Sequence, residues 1–206
     1  MATVQHAERL VKWILISFIA IFGTLVVMSL ATKPHEFMSF LGFTPTRIGG
    51  PLAWLLAILI TTYYVWSAAH YIPAVRERMF RPTLLKLIAV IAAVMAGIVE
   101  EVIFRKWIMD YLDRGGMGML LQVLASGLAF GLGHAMWGLL ARSFDAVLHS
   151  VVSTGILGIA LGVVYLAADR SLAPCIVAHF FMTALTEPGL MVGGILGELG
   201  FRAKRA

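Results

Sequence analysis

Gly97-Ile98-Val99-Glu100-Glu101-Val102-Ile103-Phe104-Arg105 places two carboxylates and a guanidinium inside a run that is otherwise apolar. The run, residues 84–109, has the length and character of a membrane helix. An ionisable group at bilayer depth costs at least ~2.5–3.5 kcal/mol, so such groups face the interior of a bundle or a cavity rather than lipid. The segment therefore implies a helical bundle in the membrane that encloses a polar centre.

Composition agrees. The 206 residues are 60% hydrophobic and 13% charged, against about 45–50% and about 25% in soluble domains. One integral membrane domain, residues 1–206, accounts for that length without a soluble module. The net charge of +5 does not point to nucleic acid, because the basic residues are scattered over short loops and chain ends. That distribution is what membrane orientation uses. Cys175 is the one cysteine and lies in an apolar run, so it reads as packing.

Apolar stretches at 11–31, 51–72, 84–109, 117–140, 147–168 and 172–185 are long enough, or nearly so, to span. The fold expected is an all-α polytopic bundle of six helices, with a polar cavity enclosed by the third to sixth. The Gly-rich stretch 189–200 reads as a re-entrant or interfacial piece, or a seventh span. The first run exceeds a signal-peptide core, so it reads as a retained helix. Glycines, prolines and charges punctuate the connections, as at 33–50 and 110–118. With the amino terminus inside, the inner face collects Arg9, Lys12, Arg76, Arg78, Arg81, Lys86, Arg142, Arg202, Lys204 and Arg205. The outer face collects Lys33, Arg47, Arg114 and Arg170. This excess predicts a multi-pass protein of the cell (inner) membrane with both termini cytoplasmic.

Three spans carry polar pairs. Glu101 and Arg105 lie four apart and share a helix face. Glu100 is rotated about 100° from Glu101 by the 3.6-residue period, so one carboxylate can be held by Arg105 while the other faces a substrate. Phe130 and His134 form the second pair, among glycines that permit close approach. His179 and Thr183 form the third. Each histidine alone also fits a hydrogen-bonded core residue, and Thr183 a bond to its own helix. His6, His35, His70 and His149 lie near expected surfaces or helix ends. Gly155, Gly158 and Gly162 read as a packing stripe. Together the pairs supply a base, two imidazoles and a hydroxyl in a water-poor setting, which suits hydrolysis. Glu, His and His could instead hold a divalent metal that activates water. His-Glu-x-x-His is absent.

Glu100-Glu101-x-x-x-Arg105, Phe130-x-x-x-His134 and His179, in this order, resemble the motifs of the CPBP family. This is the CAAX-protease and bacteriocin-processing (Abi) group of intramembrane proteases. The resemblance covers roughly residues 96–185 and includes a Gly-rich helix, a polar turn, Ala-Pro and a histidine. It implies an intramembrane endopeptidase, glutamate- or metal-dependent, that hydrolyses a peptide bond in a membrane-associated peptide or protein. Glu100 would activate water with help from His134. Glu101 and Arg105 would hold the cavity in shape. His179 would stabilise the oxyanion or complete a metal site with Glu100 and His134. Phe130 and Thr183 would support them. Zinc or another divalent metal is the cofactor this would allow, the substrate and the bilayer are the partners, and nucleic acid is not one. The family usually has Asn or another ligand-like residue where Thr183 stands, and Thr is the poorer carbonyl partner. That departure favours the alternative of a catalytically silent scaffold or immunity-type protein of the same fold. A transporter is a further alternative, against which stands the lack of an internal repeat.

Overall fold

The computed structural model describes residues 3–199, apart from the side chain of Leu139. Among the described residues the chain is helical throughout, without strands. Helix α1 spans Val4–Thr32, α2 Pro34–Phe40, α3 Pro51–Tyr71 and α4 Pro73–Arg78. Helix α5, Leu84–Glu101, runs on through a π-helical stretch, Val102–Met109, into α6, Asp110–Arg114. Then follow α7 Met119–Gly133, α8 Ala135–Leu140, α9 Phe144–Ala167, α10 Ala173–Thr186 and α11 Gly189–Leu196. Among the described residues five helices are long and apolar enough to cross a membrane, and six if the bent pair α10–α11 counts as one span. The protein is an integral membrane helical bundle.

Ends moved where capping decides them. Helix α1 begins seven residues before the apolar run, because the Thr3 hydroxyl accepts from the His6 N–H at 3.3 Å and caps a polar first turn. The expected span 117–140 is found as Met119–Gly138, with a turn at His134 between α7 and α8. The stretch 189–200 is not a seventh span. Its eight-residue helix α11 is bent 51° from α10, and the two form one broken span or a re-entrant loop. Residue 200 lies outside the described residues, as do the basic residues Arg202, Lys204 and Arg205. The bend is tied down by charged groups. Lys86 donates to the carbonyls of Leu185 (3.2 Å) and Glu187 (2.8 Å), which α10 leaves unpaired at its end. The Glu187 carboxylate accepts from the Met191 N–H at 3.2 Å, in the first turn of α11. Glu198 accepts from the Ala74 N–H of α4 at 2.9 Å.

Glycines bring α7 against α9. A Cβ on Gly131 would lie 2.5 Å from the Val151 carbonyl oxygen and 3.0 Å from Gly155 Cα. Both are backbone atoms with little freedom to move aside. Gly131→Ala is expected to cost about 1–3 kcal/mol by overpacking. By contrast, a Cβ on Gly23 of α1 meets nothing within 4 Å. Gly23→Ala should be neutral or stabilising by up to ~1 kcal/mol from helix propensity. Thermal unfolding of the two purified proteins in detergent checks the contrast.

The far end of the bundle is held by a polar clamp around Arg170. Its guanidinium pairs with Asp110 and Asp113, each at 2.7 Å, and donates to Gln122 Oε1 at 2.7 Å. Tyr165 donates to Asp110 at 3.0 Å. These contacts join α6, α7 and the end of α9, so the helices that carry the polar centre cannot splay at this end.

Candidate active site

The π stretch begins directly after Glu101. A π turn inserts a residue into the helix and re-aims the side chains around it, a device frequent at functional sites. Here Glu101 and Arg105 are both fully buried, with Glu101 Oε2 3.1 Å from Arg105 Nε. Arg105 Nη2 donates to the Gly158 carbonyl at 3.2 Å, and the guanidinium lies 4.8 Å over the Phe130 ring. The Ser126 hydroxyl on α7 donates to the Phe104 carbonyl of the π stretch at 2.9 Å.

The other Glu101 oxygen is 2.7 Å from His179 Nδ1. A carboxylate can only accept, so Nδ1 carries the proton. Sequence spacing put Glu101 with Arg105 alone. The structure adds a carboxylate–histidine pair that fixes the His179 ring and leaves Nε2 facing the neighbouring carboxylate.

That carboxylate is Glu100, on the adjacent face. Its Oε2 is 3.7 Å from His134 Nε2 and 3.8 Å from His179 Nε2. It is buried and without a hydrogen-bond partner among the described residues. His134 Nδ1 is 2.8 Å from the Phe130 carbonyl oxygen, again an acceptor, so Nδ1 is the donor and the neutral ring presents a bare Nε2. Three acceptor atoms thus converge without a donor between them. Their separations exceed hydrogen-bonding range and leave room for a small donor such as water.

Phe130 organises this arrangement. It is 1% exposed and its ring meets Phe104, His134 and His179 at 5.1, 4.4 and 5.8 Å between centroids. His134 stands at the break between α7 and α8, with φ −90° and ψ 0°. The break turns its ring toward Glu100.

Two imidazoles with engaged Nδ1 atoms and one carboxylate are suitable donors for a divalent ion. Among the described residues, however, no three His, Cys, Asp or Glu side chains are spaced to hold one.

Thr183 lies one turn beyond His179 on α10 and lines the same cavity. Among the described residues its hydroxyl makes no hydrogen bond, whereas Thr186 donates to its own helix, to the Met182 carbonyl, at 2.7 Å. Cys175 is buried, its thiol 3.4 Å from the Leu161 carbonyl oxygen, away from Glu100.

The cavity holds about 820 Å³. The expectation of walls from the third to sixth spans alone is corrected: α1 contributes Leu15 and Phe18, and α3 a row from Leu59 to Tyr71. Both helices therefore help to wall the cavity, which hydropathy does not reveal. His149, Ser150, Ser153 and Thr154 of α9 also line it. Their spacing of three and four in an apolar helix was a readable signal of a polar face, and His149 is more than the helix-end residue the sequence suggested.

A polytopic bundle that encloses buried carboxylates and imidazoles is an integral membrane protein with a polar centre at the heart of its helices. Its family follows from the sequence of that centre. Residues 81–185, just over half of the chain, match the type II CAAX prenyl endopeptidase Rce1-like family, and the chain belongs to it. Searches of curated proteins and of solved structures found no match.

Proposed function

We propose that this protein is an intramembrane endopeptidase that hydrolyses a peptide bond in a membrane-associated protein, with Glu100 as the base. The observation that carries the reading is the convergence of Glu100 Oε2, His134 Nε2 and His179 Nε2, all acceptors, on one enclosed point. Water placed there donates to Glu100 and to His134. As Glu100 takes the proton, the hydroxide attacks the peptide carbonyl carbon. The same proton then passes from Glu100 to the leaving amine nitrogen as the C–N bond breaks. The oxyanion needs a donor, and the Thr183 hydroxyl is the group placed to serve. Glu101 and Arg105 keep His179 in register and take no part in bond making.

Family membership supports the reaction class and a substrate held at the bilayer. The cavity walls, rich in Leu, Ile, Phe and Tyr, suit an apolar segment. The basic residues Arg76, Arg81 and Lys86 support placing that end of the bundle at the cytoplasmic face of the cell membrane.

The test compares new protein termini in cells carrying the wild-type chain with those carrying Glu100→Ala at matched abundance. Termini that appear only with wild type are expected. Identical termini would favour the scaffold reading, for which the Thr183 departure speaks.

Thr183→Val removes the hydroxyl at nearly constant volume. A cleavage rate lower by roughly 10²-fold is expected, the usual loss for one oxyanion donor. Kinetics on the substrate named by the termini check it, with substrate affinity largely unchanged.

A further inference from the structure

A basic chain encloses an acidic cavity. The sequence has 16 lysines and arginines against 11 aspartates and glutamates. Among the described residues, the cavity lining carries Glu100, Glu187 and Glu198 but no lysine or arginine. Low-dielectric walls focus the field of such a set and draw cations in. Glu100 is taken up by the reaction, and Glu198 holds the Ala74 N–H. Glu187 carries a charge that its structural task does not need. It is 8% exposed, and one of its oxygens accepts from the Met191 N–H at 3.2 Å. A neutral amide would cap α11 equally well. Among the described residues the second oxygen makes no hydrogen bond, and no lysine or arginine pairs with the carboxylate. Lys86 donates instead to backbone carbonyls. A carboxylate buried without a counter-charge is costly unless a ligand brings one.

We propose that Glu187 is a specificity-determining residue that binds a lysine or arginine side chain of the substrate. The proposal rests on the endopeptidase reading above and adds the chemistry of the substrate flank beside the scissile bond. Helix geometry gives the register. Glu187 stands eight residues beyond His179, at the end of α10, which is ~12 Å along the axis. An extended chain covers that distance in about three to four residues. A peptide bond held at Glu100 therefore brings a side chain that far along the substrate to Glu187. The path runs toward Lys86 and α4, the end of the bundle placed at the cytoplasmic face above. Membrane proteins gather lysine and arginine on that flank, so the carboxylate stands where such a substrate carries its charge. An acidic flank would be repelled by Glu187 and Glu198 together. The apolar stem of a lysine or arginine also needs apolar wall, and Leu190 and Met191 supply it in the same part of the lining.

Binding tests this without turnover. Glu100→Gln protein in detergent removes the charge of Glu100 from the comparison and blocks cleavage. The probes are short fluorescent peptides of leucine and alanine, acetylated and amidated, with a single lysine moved along the chain. In the controls norleucine, which keeps the lysine stem without its charge, takes that place. Fluorescence anisotropy is expected to show binding roughly 10- to 100-fold tighter for lysine than for norleucine at one position, the range for a hydrogen bond to a charged group. Adding Glu187→Gln is expected to abolish the difference while the norleucine peptides bind as before, which also reports an intact cavity. Glu198→Gln in the same background should leave the preference in place, and its loss there would overturn the assignment to Glu187. Equal binding of the two peptides at every position, or binding of neither, overturns the proposal. So does a lysine preference that survives Glu187→Gln. A norleucine peptide with a free amino terminus that binds as tightly as the lysine peptide would overturn it too, by assigning the site to a chain-end amine. Any of these can occur while the termini experiment succeeds, so the two readings fail separately.

Discussion

Glu101→Ala is expected to destabilise the protein by about 3–5 kcal/mol, the loss typical when one partner of a buried ion pair is removed. Glu101 and Arg105 are both 0% exposed. Without the carboxylate, the guanidinium keeps one hydrogen bond, to Gly158, and the face of Phe130. His179 loses its Nδ1 partner at the same time. One substitution thus removes both the counter-charge of Arg105 and the hydrogen-bond acceptor of His179. Glu101→Gln should cost less, since the amide oxygen can still accept from His179. The double variant Glu101→Leu/Arg105→Met should recover part of the loss, because a buried pair can be replaced by apolar groups at little cost. Unfolding of the purified proteins in detergent reads all three. A Glu101→Ala protein as stable as wild type would show that the pair does not carry the load assigned to it.

Much of this arrangement is written in local spacing. Helical period alone separates the directions of Glu100 and Glu101, and the structure has Glu101 on Arg105 and Glu100 on the cavity. The apolar runs give the spans because hydropathy is a local property. Three features were not legible, each for a physical reason. The π stretch after Glu101 is stabilised from outside, by Ser126 reaching Phe104 across 22 residues of chain. The Glu101–His179 bond joins residues 78 apart, and nothing local encodes it. The bend between α10 and α11 depends on Lys86, about a hundred residues away in sequence, donating to the carbonyls that α10 leaves open. In all three cases a long-range partner meets a backbone or side-chain group that local pattern leaves unsatisfied.

Glu100 should behave in the opposite way to its neighbour. Its Oε2 has no hydrogen bond among the described residues, so the fold gains little from it. Glu100→Gln keeps the shape and removes the base. Stability unchanged or slightly raised is expected, since an unpaired buried acceptor carries a desolvation penalty of ~1–3 kcal/mol. Cleavage, by contrast, should fall by ~10²–10⁴-fold, the range for loss of a positioned general base. The two measurements belong on one preparation, because their divergence is the discriminating result. A structural carboxylate would lose stability and activity together, as Glu101→Ala should. A group retained for chemistry loses activity alone. Glu100→Asp sharpens the point by shortening the reach while keeping the charge. If proximity to His134 and His179 sets the position of the attacking water, the shorter carboxylate leaves it too far from the carbonyl, and the rate falls although a base is still present. Activity in Glu100→Asp equal to wild type would mean that charge alone suffices, and the converging geometry would then need another explanation.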